Sequence, residues 1–507
     1  MKISNISPWG KNNKITIPER FSLAIKWLKV NTINDTGVAV SSANLVPYPE
    51  VTGYLIPTLL QWGEHELAHR YGQWLISIQC PDGSWTEPGG NWSYTFDTGQ
   101  VLKGLVTLAD SDPGYNEAVL KGCEWMCSQI QKNGRITTPD KGSWQLPGGR
   151  IIPEAIHLYA IEPLRRVGRK LGVSDYEQAV DRSLDFYLND LEGLTRFNTL
   201  SHFHAYILEA LLDLEHRDIA ATAMKELVRW QRNDGTIPGY QGTKWVCSTG
   251  LLQYAVILYR LGDLQRADAA FLRACKLQNP SGGFYGSYGS GANYFPKEEI
   301  SWAVKYFLDA LRWKIVSGFD AELDNFPEKI DRGDGRCSLL YDVVKSVEPK
   351  QVLEVGCGKG RFLNHLASDF PSATFTGLDL SEKMLSYLHH SVTPLRGSLL
   401  DIPCPDGSYE FVYCIEALEH AVNISGAIRE ICRVVAPGGV LVIIDKNRER
   451  QGRLRISEWE QWFDLPQITN LLSEQGFSVE ERSNITYDSS NGSDELFIGW
   501  IAVRRNG

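Results

Sequence analysis

The sequence predicts a two-domain chain: an all-α array of six helical hairpins, followed by an α/β domain on a doubly wound, seven-stranded sheet. Three observations carry this. Apolar residues recur with a 3.6-residue period in six segments spaced 46 to 56 residues apart over the first 315 positions. A polar stretch rich in Gly, Pro and mixed charge, SGFDAELDNFPEKIDRGDGR, comes next. Beyond it, strand-like and helix-like runs alternate from a glycine-rich turn onward. A chain of 507 residues is too long for a single core. The expected boundaries are 1–316 for the helical domain, 317–336 for a linker and 337–507 for the α/β domain.

The six segments are PEVTGYLIPTLLQWG, FDTGQVLKGLVTLAD, PEAIHLYAIEPLRRVG, SHFHAYILEALLDLE, CSTGLLQYAVILYRLG and EEISWAVKYFLDALR. Each opens on small or polar residues, which lets helices crowd together. Between them lie amphipathic second helices such as AHRYGQWLISIQ, AVLKGCEWMCSQIQ, ATAMKELVRWQ and RADAAFLRACKLQ. Four of these run into Gln and a Gly-containing turn: QCPDGSW, QKNGRI, QRNDGTI and QNPSGGF. The glycine supplies the positive φ that stops the helix, and the glutamine is expected to cap a neighbouring helix end. Two helices repeated six times predict a double-walled (α/α)6 ring.

This half resembles, in repeat architecture, the α/α toroids of terpene cyclases, prenyltransferase β-subunits and several glycan lyases, hydrolases and epimerases. The catalytic signatures of the terpene and lanthionine enzymes in that group, DxDD, DDxxD and Cys-His-Gly, do not occur here. What remains is a mouth edged by Gly- and aromatic-rich loops, suited to a saccharide. Trp85, Asp97, Trp144, Glu154, His204 and Trp245 are the candidate substrate-binding residues there. The competing expectation is that Asp97 caps its helix and the aromatics pack the ring.

In the second domain the strand-like runs are QVLEVG, TFTGLDL, LRGSLL, FVYCIEAL, GGVLVIIDK, FSVEERSNITY and ELFIGWIAVRR, the last two forming an antiparallel pair. The first ends in Glu354-Val-Gly356-Cys357-Gly358-Lys-Gly360, and Arg361 breaks the dinucleotide pattern GxGxxG. An acidic residue ahead of GxGxG, Asp379 closing TGLDL, then GSLLDIPCPDGSYEFVYC, EALEH and RVVAPGGVLVIID resemble, over the whole domain, the Rossmann-like class I S-adenosylmethionine-dependent methyltransferases. The resemblance implies S-adenosylmethionine as cofactor, held by Glu354, Gly356, Cys357, Gly358, Gly360 and Cys414. It places Asp379 on the ribose, Leu380 and Met384 beside the adenine, and Ser398, Leu399 or Asp401 at the adenine amino group. Gly397-Ser398 departs there from the family's Gly-Asp.

CIEALEH resembles the segment after the fourth strand in small-molecule O-methyltransferases. Methyl transfer to an alcohol needs the acceptor positioned and a proton removed. His420 is the candidate base because imidazole titrates near neutrality, and Glu416 and Asp445 complete the candidate catalytic set. Trp459 and Trp462, spaced as on one helix face, are candidates for the acceptor pocket. Glu416-x-x-Glu419-His420 matches part of a metal-binding pattern whose second histidine is missing, so no metal is expected.

Net charge is −10, with no long basic run, which argues against nucleic acid and anionic membranes as partners. No apolar run is long enough to span a bilayer. Ten cysteines lie outside CxxC pairs, as in a reduced, cytoplasmic protein. The reading is an O-methyltransferase acting on a glycan or other small-molecule acceptor presented by the helical ring. Its alternatives are a bifunctional enzyme whose ring is itself a lyase, hydrolase or epimerase, and a ring that serves only assembly. Oligomeric state is left open.

Overall fold

The computed structural model describes residues 15–139, 145–146, 150–452, 456–486 and 495–506. The chain divides into a unit of Leu23–Gly318 and a unit of Phe319–Gly507 with the segment ending at Ser22. The expected linker is only partly irregular: the helix Ser301–Ala321 runs into it and the helix Gly335–Val347 begins inside it. Leu311, Ile315 and Phe319 continue the helical period that the polar composition of the stretch masks.

The first unit is helical. Its elements are α1 (Ile17–Val30, from Leu23 onward), α2 (Pro49–Gln61), α3 (His65–Ser77), α4 (Thr95–Leu108), α5 (Asn116–Ser128), α6 (Glu162–Leu171), α7 (Ser174–Leu188), α8 (Leu191–Thr195), α9 (Ser201–Asp213), α10 (Arg217–Leu227), α11 (Ser248–Leu261), α12 (Leu264–Cys275) and α13 (Ser301–Ala321, as far as Gly318). The third inner segment, expected as one helix, is split. Residues Glu154–Ala160 are 3-10 and α6 starts only at Glu162, because Pro163 has no N–H for the preceding turn.

Small residues set the approach of the inner helices. A Cβ on Gly53 of α2 would stand 2.4 Å from the Cα of Val101 of α4, and one on Gly99 of α4 would stand 2.4 Å from the Cβ of Ala160. Tyr159 then meets Tyr206 of α9, ring to ring at 4.8 Å. His202 of α9 bonds Gln253 of α11 at 2.7 Å. Ser317 of α13 donates to the Tyr259 carbonyl of α11, and Thr58 of α2 donates to Asp309 of α13 at 2.7 Å. The succession of contacts thus returns to α2. Where the inner helices converge, Tyr54, Phe96, Tyr159, Tyr206 and Tyr306 stack and share hydroxyl contacts, Tyr159 to Tyr306 at 2.9 Å.

The glutamine turns act as the sequence predicts, with one exception. Gln79 Nε2 donates to the Gly83 carbonyl at 3.0 Å and to the Ala118 carbonyl in the first turn of α5 at 2.9 Å. Gln231 and Gln278 repeat the bond to the glycine four residues on. Gln131 precedes its glycine by three residues, so Ile130 takes the equivalent place and the side-chain bond is missing.

The second unit contains β1 (Gln351–Val355), β2 (Thr374–Asp379), β3 (Val392–Arg396), β4 (Tyr409–Ile415), β5 (Val435–Lys446), β6 (Phe477–Ile485) and β7 (Phe497–Arg504). They form one sheet in the order β6-β7-β5-β4-β1-β2-β3. The first five strands are parallel, and β7 runs antiparallel between β5 and β6, with Ala502 facing Leu441 on one side and Val479 on the other. Strands β4 and β5 are nearly continuous buried apolar runs, as a sheet covered on both faces requires. At the edges, β6 alternates with charged residues and β3 carries Pro394. That third strand starts earlier than the expected LRGSLL, whose last four residues form a turn. The covering helices are α14 (Gly335–Val347), α15 (Leu363–Asp369), α16 (Glu382–Leu385), α17 (Ile424–Val434) and α18 (Leu465–Glu474). Among the described residues no helix is long and apolar enough to cross a membrane.

Candidate functional site

The site lies where the parallel strands end, around the point at which the order reverses between β1 and β4. Glu354, on β1, is buried and accepts the Tyr413 hydroxyl at 3.1 Å. Burial pushes its carboxyl up to about 8, against the opposing pull of Tyr413 and Arg361. The loop after it turns on Gly356, Gly358 and Gly360, all at positive φ. A Cβ on Gly356 would strike Ala417 at 2.4 Å, whereas one on Gly358 would meet nothing within 4 Å. The loop therefore encloses open space at Gly358.

Asp379 ends β2 and accepts the Gly358 amide at 2.8 Å on one oxygen and the Ser381 amide at 2.9 Å on the other. Burial raises its carboxyl while these amides hold it down. Ser381 in turn donates to Asp320 at 2.6 Å. Asp320 sits in the stretch expected to be linker, and nothing in its local sequence marked it.

Past β4, Glu416 adopts φ +50°, a strained conformation for a side chain of its size. Its carboxylate accepts from both Arg336 and Arg361. Arg336 is held bidentate by Asp334, at 3.0 and 2.6 Å. Neither arginine belonged to the sequence-predicted set; the signal available was Arg361 directly after the glycine loop. Two guanidiniums thus clamp the Glu416 carboxylate, and with it the loop after β4.

His420 ends the same segment. Its Nε2 lies 3.3 Å from Oε1 of Glu419, an almost wholly buried carboxylate that also binds Lys446 Nζ at 2.8 Å. Among the described residues its Nδ1 is buried without a hydrogen-bond partner, as is Oε2 of Glu419. Asp445 is fully buried and accepts the Glu419 and Lys446 amides at 3.1 and 2.8 Å. Burial and the Glu419 charge push the Asp445 carboxyl well above the usual carboxylate range, while the His420 and Lys446 contacts hold Glu419 low. Trp459 and Trp462 are buried in an irregular stretch before α18, not on a helix. Trp462 donates to Glu460 at 2.7 Å.

Residues 353–443 match the family described as methyltransferase domain. Residues 353–443 form a methyltransferase domain. A fatty-acid O-methyltransferase of Mycolicibacterium smegmatis is 34% identical over 140 residues, covering 26% of this chain and 49% of that one. A sterol 24-C-methyltransferase of Aspergillus fumigatus is 34% identical over 107 residues, covering 19% and 28%. A solved S-adenosylmethionine-dependent methyltransferase of Thermotoga maritima is 20% identical, with a TM-score of 0.30, covering 38% of this chain and 100% of that one. The chain spans about half or less of the length of the two curated relatives.

The cofactor of this methyltransferase domain is S-adenosylmethionine, and the residues at the strand ends fit it. Open space faces Gly358, and Asp379 keeps lone pairs on both oxygens for a pair of ribose hydroxyls. Glu354 offers a buried carboxyl, and Leu399 reaches to 3.9 Å from the Cβ position of Gly356. Met384 is buried and Leu380 half-buried beside β2. Cys357 and Cys414 are buried. The Ser398 hydroxyl is engaged, accepting the Leu400 amide at 3.1 Å.

The candidate residues of the helical unit land mostly in packing. Trp85 is wholly buried, donating to the Leu75 carbonyl at 2.7 Å, and Trp245 is buried against Gly239. His204 is spanned by the Tyr254 hydroxyl and the Thr195 carbonyl, both at 2.9 Å. Glu154 forms a bidentate pair with Arg135 at 2.8 and 2.9 Å. Large aromatics and short polar side chains in glycine-rich loops read as a binding rim, yet here they wedge between helices. Trp144 lies outside the described residues. Asp97 does not cap α4. It is buried beside Tyr48 and Glu50, and burial brings its carboxyl up to about 7.

Proposed function

We propose that this protein moves a methyl group from S-adenosylmethionine to a hydroxyl oxygen, with His420 accepting the proton. When bound, the cofactor supplies an electrophilic methyl group; the chain positions the acceptor and removes its proton. The observation that carries the reading is the His420–Glu419 contact of 3.3 Å beside an unpartnered Nδ1. A carboxylate on Nε2 selects the tautomer protonated there and leaves the Nδ1 lone pair as the base. Lys446 holds the Glu419 carboxylate and Asp445 holds its backbone amide, so Glu419 orients the ring rather than taking the proton itself.

The matched relatives carry O- and C-methyltransferase names, so the shared domain leaves the acceptor atom to the residues around His420. We read the helical unit as a sixfold toroid that recognises a saccharide-type acceptor. The cyclic succession of inner-helix contacts supports the toroid. Exposed Trp92 and half-buried Tyr240 and Tyr285 are the rim aromatics still within reach of a ligand.

One observation favours a second reading, in which the helical unit has acid–base chemistry of its own. Glu50 and Asp97 are neighbouring buried carboxyls, both raised by burial. Conversion of a saccharide without methyl donor, stopped by Asp97→Asn, would establish it.

For the first reading, His420→Ala should lower the single-turnover methyl-transfer rate by about 10²–10⁴ while donor affinity barely moves. Glu419→Gln should reproduce part of that loss. A variant with wild-type rates, or a product methylated on carbon or nitrogen, defeats the proposal.

A further inference from the structure

A cavity of about 440 Å³ opens toward the C-terminal ends of the inner helices of the helical unit, away from Glu50 and Asp97 at the helix starts. Most charges in its wall are already matched. Lys305 pairs with Asp309 at 2.6 Å, and Arg260 pairs with Asp213 at 2.8 Å. Arg166 bonds Thr107 at 3.2 Å and also Asp110, while Glu209 accepts the Gln253 amide at 3.0 Å.

Two lining groups are unmatched. The Lys103 ammonium sits 3.0 Å over the face of Tyr159 and makes no hydrogen bond or ion pair among the described residues. The Glu162 carboxyl, in the first turn of α6, makes none either. Burial brings the Lys103 amine down to about 8 while the charges of Asp213 and Glu162 oppose it. Burial raises the Glu162 carboxyl while Lys103 pulls it back. The two groups sense one another across the cavity but lie too far apart to pair. A lysine held on a ring face keeps donors free for a ligand.

The chemistry of the wall narrows that ligand. The wall sets five cations, Lys103, Arg166, Arg260, Lys305 and Arg312, against four carboxylates, a surplus of one that suits a single negative charge better than a phosphate dianion. The acceptor-rich lining calls for hydroxyl donors, and Tyr54 and Trp313 add aromatic surface to the wall. The volume lies in the range of roughly 300–1,000 Å³ typical of small-molecule sites. We propose that this cavity binds a hydroxylated monocarboxylate of the uronic acid class, its carboxylate on Lys103 and a hydroxyl on Glu162. The site belongs to the helical unit and does not depend on methyl transfer.

Calorimetry on the full chain tests it with D-galacturonate, D-galactose and inorganic phosphate. Galacturonate should bind saturably and at least about tenfold more tightly than the other two. Lys103→Met and Glu162→Gln should each weaken it by about tenfold or more. Galacturonate binding no tighter than galactose or phosphate, or binding untouched by both substitutions, overturns the proposal. Acetylation of Lys103 in the unsubstituted protein, followed by mass spectrometry, gives a second test that needs no variant to fold. Galacturonate should slow labelling several-fold where galactose does not, and equal labelling in the two sugars also overturns it.

Discussion

Two glycines in the two units have opposite surroundings. A Cβ on Gly53 of the helical unit would stand 2.4 Å from the Val101 Cα, inside the backbone of the next helix. A Cβ on Gly358 of the methyltransferase domain would meet nothing within 4 Å. One glycine exists so that protein can touch protein; the other borders space kept free for a ligand. The same contrast holds for charge. In the helical unit the buried carboxyls Glu50 and Asp97 neighbour one another, whereas in the α/β unit Glu416 and Asp379 sit at strand ends, braced by arginines and amides.

The largest expected effects separate those glycines. Gly53→Val should cost the helical unit about 3 kcal/mol or more by overpacking, with donor affinity unchanged. Gly358→Val should weaken donor binding by more than about 100-fold. Its stability should fall by only about 1–2 kcal/mol, the strain of a side chain at left-handed φ. Denaturant unfolding and donor calorimetry on both proteins check this. A Gly53→Val chain as stable as wild type would erase the contrast.

The buried charges give a second, smaller separation by pH. Asp97 is raised to about 7 from 3.8. As pH climbs from about 4, the unfolded chain ionises first, and Asp97 costs stability increasingly until about 7. His202 is lowered to about 4 from 6.5 by burial. Between those values the unfolded chain alone holds the proton, so the histidine's penalty fades as pH rises. Relative to wild type, Asp97→Asn should therefore gain stability from pH 4 to 7, and His202→Gln should lose it from pH 4 to 6.5. Each slope is at most about 1.4 kcal/mol per pH unit. Slopes of the same sign in unfolding titrations would contradict the assignment.

At the donor site the corresponding effect appears in binding rather than folding. Glu354 is raised to about 8, so below that pH the free protein carries it protonated. If it holds the donor's ammonium group it must ionise on binding, and donor affinity should rise with pH by up to about tenfold per unit until pH 8. Glu354→Gln should bind more weakly and lose that slope. A wild-type affinity flat between pH 6 and 8 would move Glu354 out of the site.

The contrast also explains what the sequence could show. The donor loop was legible because glycines, Glu354 and Asp379 sit at fixed spacing around consecutive strands. Arg336 and Asp320 were not, because they come from a stretch whose composition reads as linker and reach the site only through folding. In the helical unit, period and turns were legible, but the facing of side chains was not. Trp85 and Trp245 carry the composition of a rim and the burial of a core, while Lys103 and Glu162, inside ordinary amphipathic helices, line the cavity. A 3.6-residue period tells which face turns inward, not whether that face meets protein or water.

The smallest expected effect sharpens the reading of the repeat itself. Gln79 spans two carbonyls, Gly83 at 3.0 Å and Ala118 at 2.9 Å, tying the end of α3 to the start of α5. Both carbonyls are partly reachable by water, so Gln79→Ala should cost only about 1–2 kcal/mol, the net worth of two such bonds. Gln131 shares the residue type and the following glycine but stands one position too near it. Its side chain makes no equivalent bond, so Gln131→Ala should stay within about 0.5 kcal/mol of wild type. The pair distinguishes geometry from composition: if both substitutions cost the same, glutamine acts in these turns through polarity alone. If only Gln79→Ala is felt, the four-residue spacing to glycine is what makes this glutamine a tie between α3 and α5.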